Sequence, residues 1–167
     1  MIKKAGYFIA VFTVVILFLH GCFALNMLFK APPEKEQEYL NIDIETLDNG
    51  ESCKKVGLQL LESWHFFKAI KVFHKALVYD PNDAEAYNYL GRAYYMTSDN
   101  EKAKMFLKIA ISIKSDYADA YYNLGDVYLR EGSVGMAMQQ YKTAIDINDA
   151  FRNRKRNFFG EDFVPLE

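Results

Sequence analysis

Residues 84–117 read AEAYNYLGRAYYMTSDNEKAKMFLKIAISIKSDY, and residues 118–149 read ADAYYNLGDVYLREGSVGMAMQQYKTAIDIND. Laid one over the other, Gly91 falls on Gly125, and the same shift reaches back from Gly91 to Gly57. The flanking residues follow this register. Val56, Leu90 and Leu124 precede the glycines, and Leu60, Tyr94 and Tyr128 lie three positions after them. Ala69, Ala103 and Ala137 recur at twelve, Phe73, Leu107 and Tyr141 at sixteen, and Ala76, Ala110 and Ala144 at nineteen. A fixed period of this length is the mark of a repeat architecture, each unit being one supersecondary element. Small residues recur where two helices must approach closely, and large apolar residues at helical spacing fill the space between them.

Helix starts recur as well. Asp48 with Glu51, Asn82 with Glu85, and Asp116 with Asp119 place a capping side chain three residues before an acidic one. That spacing predicts a capping box at the start of each first helix, with aspartate standing for glutamate in the third. Asp99 and Ser133 are the expected caps of the second helices in the second and third units. Pro81 closes the first unit, and Ser115 and Asp149 stand where it would recur.

Tyr87, Leu90, Gly91, Tyr94, Ala103, Ala110 and Ile113, and again Tyr121, Leu124, Gly125, Tyr128, Ala137, Tyr141 and Ala144, resemble the pattern of the tetratricopeptide-repeat (TPR) family. The first unit departs from it at Cys53, where the family has an aromatic residue, and at Leu60, where it has tyrosine. The resemblance covers roughly residues 50–149. It implies an all-α solenoid of three helix-turn-helix repeats, at 50–83, 84–117 and 118–149, in a right-handed superhelix. It also implies that the first helix of each pair lines a concave groove. The residues it places there are Lys54, Leu58 and Leu61, then Asn88, Arg92 and Tyr95, then Tyr122, Asp126 and Leu129. Such a mixture of aromatic, aliphatic and polar side chains suits a peptide or helix from a protein partner. Tyr95 and Tyr122 are expected to be accessible, and Tyr94 and Tyr128 to belong to the core. The plainer alternative for two of the polar residues is that Arg92 and Asp126 pair with each other, worth about 0–1 kcal/mol if exposed. Some members of the family clamp acidic chaperone tails. Of that set only Lys54 matches, while Leu58, Tyr89, Asp119 and Asn123 replace the residues required, which disfavours such a ligand.

Before the repeats, Ala5 to Phe29 carry no charge and are bounded by Lys3, Lys4 and Lys30. A helix over this run is about 37 Å long, enough to cross a hydrocarbon core of about 30 Å. Residues 1–30 are therefore expected to form a single transmembrane anchor or uncleaved signal. The short lysine-bearing stub favours a cytoplasmic N-terminus, with the repeats on the periplasmic or outer side. Leu19-His20-Gly21-Cys22 offers an alternative, since it resembles a lipobox; Gly6 to Leu19 would then be a signal segment and Cys22 the lipidation site. Residues 31–47 are the expected linker. Pro32 and Pro33 stop the preceding helix. Tyr39, Leu40, Ile42, Ile44 and Leu47 lead us to expect that part of the linker packs on the first repeat, a flexible spacer being the alternative.

At the other end, residues 150–167 combine Arg152, Arg154, Lys155 and Arg156 with Phe151, Phe158, Phe159 and Phe163. This segment reads as a cap and tail, its basic side chains solvating the end of the array. A net charge of -2 gives no global basic field, so no nucleic-acid partner is expected. His20, His65 and His74 lack zinc-ligand spacing, and the sequence has no phosphate loop and no nucleophile elbow. The expectation is a binding protein without catalytic residues, metal or cofactor. It would act as scaffold or assembly factor for a membrane or periplasmic complex; the alternative is a constitutive accessory subunit of a larger membrane complex.

Overall fold

The computed structural model describes residues 42–151, all within the unit Glu38–Glu167. The expected anchor over 1–30, the lipidation candidate Cys22 and the basic residues Arg152 to Arg156 lie outside the described residues. Among the described residues no helix is long and apolar enough to cross a membrane.

Six helices follow one another: α1 (Gly50–Glu62), α2 (Phe66–Tyr79), α3 (Ala84–Met96), α4 (Asn100–Ile113), α5 (Ala118–Arg130) and α6 (Val134–Ile147). A 3-10 turn precedes them at Ile44–Thr46 and another follows at Asp149–Phe151. Each helix packs on its chain neighbours, and α1 touches α3 as α3 touches α5. The result is an all-helical TPR-like solenoid of three stacked pairs.

Within each pair the turn is built the same way three times. Trp64, Ser98 and Gly132 occupy the left-handed region, with φ of 64°, 65° and 76°. The amide after each donates back to the last turn of the first helix: His65 to Leu60 O at 2.8 Å, Asp99 to Tyr94 O at 3.0 Å, Ser133 to Tyr128 O at 2.9 Å. This is the Schellman arrangement, which satisfies carbonyls that a helix end would otherwise leave open.

The caps of the first helices fall one residue later than Asp48, Asn82 and Asp116. Asn49 accepts from Ser52 N at 2.7 Å, and Asp83 accepts from Glu85 N at 2.9 Å and Ala86 N at 3.0 Å. Asp and Asn stand side by side at both helix starts, so the spacing to Glu51 and Glu85 selected the wrong one of two neighbours. In the third repeat the cap position holds Tyr117, which makes no side-chain cap. Of the second-helix caps, Asp99 accepts from Lys102 N at 3.1 Å, whereas Ser133 sits at the cap position of α6 without a capping bond.

The recurring glycines are contact points. A Cβ on Gly57 would stand 2.4 Å from the Phe73 ring, on Gly91 2.6 Å from Leu107 Cγ, and on Gly125 2.5 Å from the Tyr141 ring. Phe73, Leu107 and Tyr141 are buried, as are the recurring alanines at positions 69, 76, 103, 110, 137 and 144. Each pair is thus locked by one large side chain of its second helix lying in the notch of a glycine in its first.

Between pairs a second contact recurs, joining equivalent positions of each unit to the start of the next. Lys54 Nζ lies 3.1 Å from Asp83 Oδ2. Asn88 Nδ2 donates to Tyr117 OH at 3.3 Å. The rings of Tyr122 and Phe151 are 5.2 Å apart. The same joint is an ion pair, then a hydrogen bond, then an aromatic contact. Phe151, buried against Ala118, Ala144 and Ile145 as well, closes the described end of the array.

The described part of the linker packs on the first repeat. Leu47 is buried, Lys75 Nζ donates to Ile44 O at 2.7 Å and Glu45 O at 2.9 Å, and Tyr79 OH donates to Leu47 O at 2.8 Å.

Candidate functional site

Helices α1, α3 and α5 bring Leu58, Asn88, Arg92, Tyr95, Tyr122 and Asp126 to one cleft of about 590 Å³. Among the described residues Glu85, Tyr89, Met96, Tyr117, Asp119 and Asn123 line it with them. Lys54, Leu61 and Leu129 do not. Leu61 is part of the buried core that α1 shares with α2 and α3. Leu129 is half-buried.

Lys54 is held away from any ligand by three carboxylates. Its Nζ lies 2.8 Å from Glu85, 3.1 Å from Asp83 and 3.1 Å from Glu51, and its side chain is only 14% exposed. Burial works against the charged ammonium, but the hydrogen bonds to Glu85, Asp83 and Glu51 outweigh it and raise its pKa. The bond from Lys54 correspondingly holds Glu85 below the usual carboxylate range, against its burial. A lowered folded-state pKa on Glu85 stabilises the fold above the unfolded value and is lost as pH falls through the folded one. The raised pKa on Lys54 contributes fully at every pH below the unfolded lysine value of about 10.4, so it adds no slope near neutrality. Lys54→Met should therefore cost about 1 kcal/mol at pH 7, since Glu85 is partly exposed, and flatten the loss of stability below about pH 5. Urea unfolding between pH 3 and pH 7 reads both; an unchanged acid slope would show that Glu85 does not depend on Lys54.

The floor of the cleft is a polar network. Asn88 is 2% exposed. Its Oδ1 accepts from Asn123 Nδ2 at 2.7 Å and its Nδ2 donates to Tyr117 OH. Burial, then the nearby Asp119 carboxylate, pushes the Tyr117 phenol up to about 12. Tyr89 OH donates to Glu85 Oε1 at 2.8 Å, and burial followed by this bond raises the Tyr89 pKa. At neutral pH both phenols are therefore uncharged, Tyr89 donating to Glu85 and Tyr117 accepting from Asn88. Tyr117 and Asn123 were not legible as site residues, because Tyr117 stands in the repeat where its counterpart Asp83 is a helix cap.

The walls differ from expectation in two ways. Tyr94, Tyr95, Tyr122 and Tyr128 are all half-buried, so exposure does not divide them into surface and core. Tyr122 packs on the rings of Tyr141 and Phe151. Tyr95 carries the Arg130 guanidinium 3.5 Å from its ring centre, and Arg130 also donates to Tyr95 O at 2.7 Å and to Asn100 Oδ1. Nor do Arg92 and Asp126 pair. Asp126 accepts from Tyr141 OH at 2.6 Å. Arg92 is exposed and makes no hydrogen bond or ion pair among the described residues. The cleft thus presents one guanidinium beside the carboxylates of Glu85, Asp119 and Asp126.

His65 lies in the turn between α1 and α2. His74 lies on α2 beside Tyr94 OH at 3.3 Å, and burial lowers its pKa. Among the described residues no group of three His, Cys, Asp or Glu side chains is placed to hold a metal ion.

A row of first helices facing one cleft defines a helical-repeat scaffold. Family models described as TPR repeat and tetratricopeptide repeat match residues 66–98 and 118–151 respectively. Two solved structures of MamA are similar. One shares 33% identity and covers 70% of this chain and 68% of its own, with a TM-score of 0.60. The other shares 36% identity over 62% of this chain and 56% of its own, with a TM-score of 0.57. Protein bimA of Emericella nidulans is 31% identical over 125 residues, 74% of this chain. Anaphase-promoting complex subunit 3 of Schizosaccharomyces pombe is 31% identical over 81 residues, 48% of this chain. The chain spans only 16% and 12% of the lengths of these two relatives. The chain belongs to the tetratricopeptide-repeat family, whose repeats mediate protein-protein interaction and complex scaffolding.

Proposed function

We propose that this chain is a membrane-tethered adaptor whose cleft holds an extended segment of another protein, serving as scaffold or assembly factor for a membrane or periplasmic complex. The observation that carries this reading is Arg92. A long side chain that makes no hydrogen bond or ion pair among the described residues stands in a cleft walled by Tyr89, Tyr95 and Tyr122 and lined also by buried Asn88. Arginine and tyrosine side chains in a concave, partly desolvated surface are the usual carriers of binding energy. The carboxylates of Glu85, Asp119 and Asp126 along the cleft oppose an acidic tail, and Arg92 suits a segment that brings a carbonyl to it.

The tether is the run Ala5 to Phe29, with the repeats on the periplasmic or outer side; lipidation at Cys22 is the rival form of the same attachment. A second reading, a constitutive subunit, draws on the name of one relative, a complex subunit. Gentle detergent extraction of the tagged full chain separates the two: a stoichiometric assembly marks the subunit, and substoichiometric recovery of clients the assembly factor.

Arg92→Ala tests the cleft. The exposed side chain makes no hydrogen bond or ion pair among the described residues, so the melting temperature should stay within about 1–2 °C of wild type, as for surface changes of a few tenths of a kcal/mol. Affinity for the recovered partner should fall by about 30-fold, the scale of a 2 kcal/mol hot spot. Undiminished binding by a folded Arg92→Ala chain would remove the cleft from the account.

A further inference from the structure

The turn between α1 and α2 places a tryptophan where the other two repeats hold Ser98 and Gly132. Trp64 has φ +64° and is 74% exposed, and Phe67 beside it is 76% exposed. A bulky side chain in the left-handed region is a conformational outlier. Its ring gains little packing in return: among the described residues its ring neighbour is Phe66, at 5.8 Å. The left-handed backbone belongs to the Schellman turn that all three repeats share; what sets this turn apart is that it carries two bare aromatic rings.

The rings continue into a stripe. Phe67, Lys71 and Val78 are exposed and fall at helical spacing along the outer face of α2, with His74, whose ring meets Tyr94 and Phe106, between Lys71 and Val78. Lys71 makes no ion pair among the described residues. Asp43 and Glu45 share a groove with Lys71 and Lys75, and the Glu45 carboxylate is 3.9 Å from Lys75. Ile42, Asp43, Ile44 and Glu45 run alongside Lys68, Lys71 and Lys75 in one shallow groove, so the chain enters the repeats along this same face.

We propose that this face lies on a bilayer, with Trp64 and Phe67 entering the interfacial layer and Lys71 meeting the phosphates of anionic lipids. Amphipathic rings settle at the headgroup level, and lysines extend from an apolar stem to the phosphates above. The inference rests on the reading of Ala5 to Phe29 as a tether. Residues 30–41 then span at most about 40 Å, which keeps the domain close enough for a weak surface contact to be populated.

Trp64 is the single tryptophan of the chain, so its emission reports this site alone. The full chain is reconstituted into phosphatidylcholine vesicles with and without phosphatidylglycerol. In the anionic vesicles the emission should shift to shorter wavelength, lose accessibility to acrylamide, and be quenched by lipids brominated near the headgroup end of the acyl chain. Lys71→Glu should reverse all three effects while leaving the circular-dichroism melt unchanged. Absence of bromolipid quenching overturns the proposal, and so does quenching that is indifferent to lipid charge and to the lysine reversal. Flotation with the vesicles after carbonate extraction reports the tether separately. A chain that floats with Trp64 still in water keeps the tether and loses this inference. A chain that is quenched but stripped by carbonate does the reverse.

Discussion

A chain carrying Gly91→Leu should unfold well below the wild-type temperature. The first atom of the new side chain would stand 2.6 Å from Leu107 Cγ, 2.9 Å from Leu107 Cδ2 and 3.3 Å from the Ala103 carbonyl oxygen. Leu107 is fully buried and cannot swing into solvent, and the carbonyl belongs to the backbone of α4. Helices α3 and α4 must therefore move apart, opening the closest contact of the central repeat. Overpacking of this kind costs about 1–3 kcal/mol, and each kcal/mol lowers the melting temperature of a domain near this size by about 4–8 °C. Gly135 on α6 has nothing within 4 Å of its would-be Cβ. Gly135→Ala should thus be neutral or stabilising by about 0.5 kcal/mol. Paired thermal melts decide the matter. If the two variants melt together, the glycine notch is not what spaces the helices.

Phe73→Ala should be more damaging still. Phe73 fills the notch of Gly57 and reaches forward to the ring of Tyr89, 5.5 Å away on α3. It joins the two helices of the first repeat and couples that repeat to the second. Removing such a buried ring costs about 3–5 kcal/mol, a large part of the roughly 5–15 kcal/mol typical of a whole domain. Because a solenoid is stabilised unit by unit and by its nearest neighbours, the loss should not be shared evenly. Amide exchange should quicken most in α1 and α2, then α3, and least in α5 and α6. An even rise across all six helices would show that three repeats unfold as a single block.

The periodic part of this architecture is written in the chain because each repeat solves the same packing problem with the same kind of residue. That Gly91 and Gly125 stand at close helix contacts could be anticipated from their constant spacing, whereas their partners Leu107 and Tyr141 come from the structure. What departs from the period could not. Lys54 reads as a groove anchor until Asp83 and Glu85, at the start of the next repeat, are seen to enclose it. Tyr117 exchanges a helix cap for a place in the cleft, and nothing local marks that exchange. Arg130 covers Tyr95 from the following repeat, although its own repeat gives it no special standing. The caps were displaced by one residue because Asp and Asn occupy adjacent positions, and only backbone geometry tells which turns back to the helix. The candidate cleft was therefore legible in outline, through Leu58, Asn88, Arg92, Tyr95, Tyr122 and Asp126, whereas its electrostatics come from long-range partners.

The joint that links each pair to the next gives the array unequal ends. Dissolved ions weaken the attraction between Lys54 and Asp83, though less than for a fully exposed pair. They leave the Asn88–Tyr117 hydrogen bond nearly untouched and, where strongly salting-out, tighten the contact of Tyr122 with Phe151. An electrolyte-responsive hinge thus stands at the α1 end and an oil-like latch at the α6 end. Rising ionic strength should loosen α1 against α3 while the α5 side keeps its shape, so the mouth of the cleft at Leu58 would widen first.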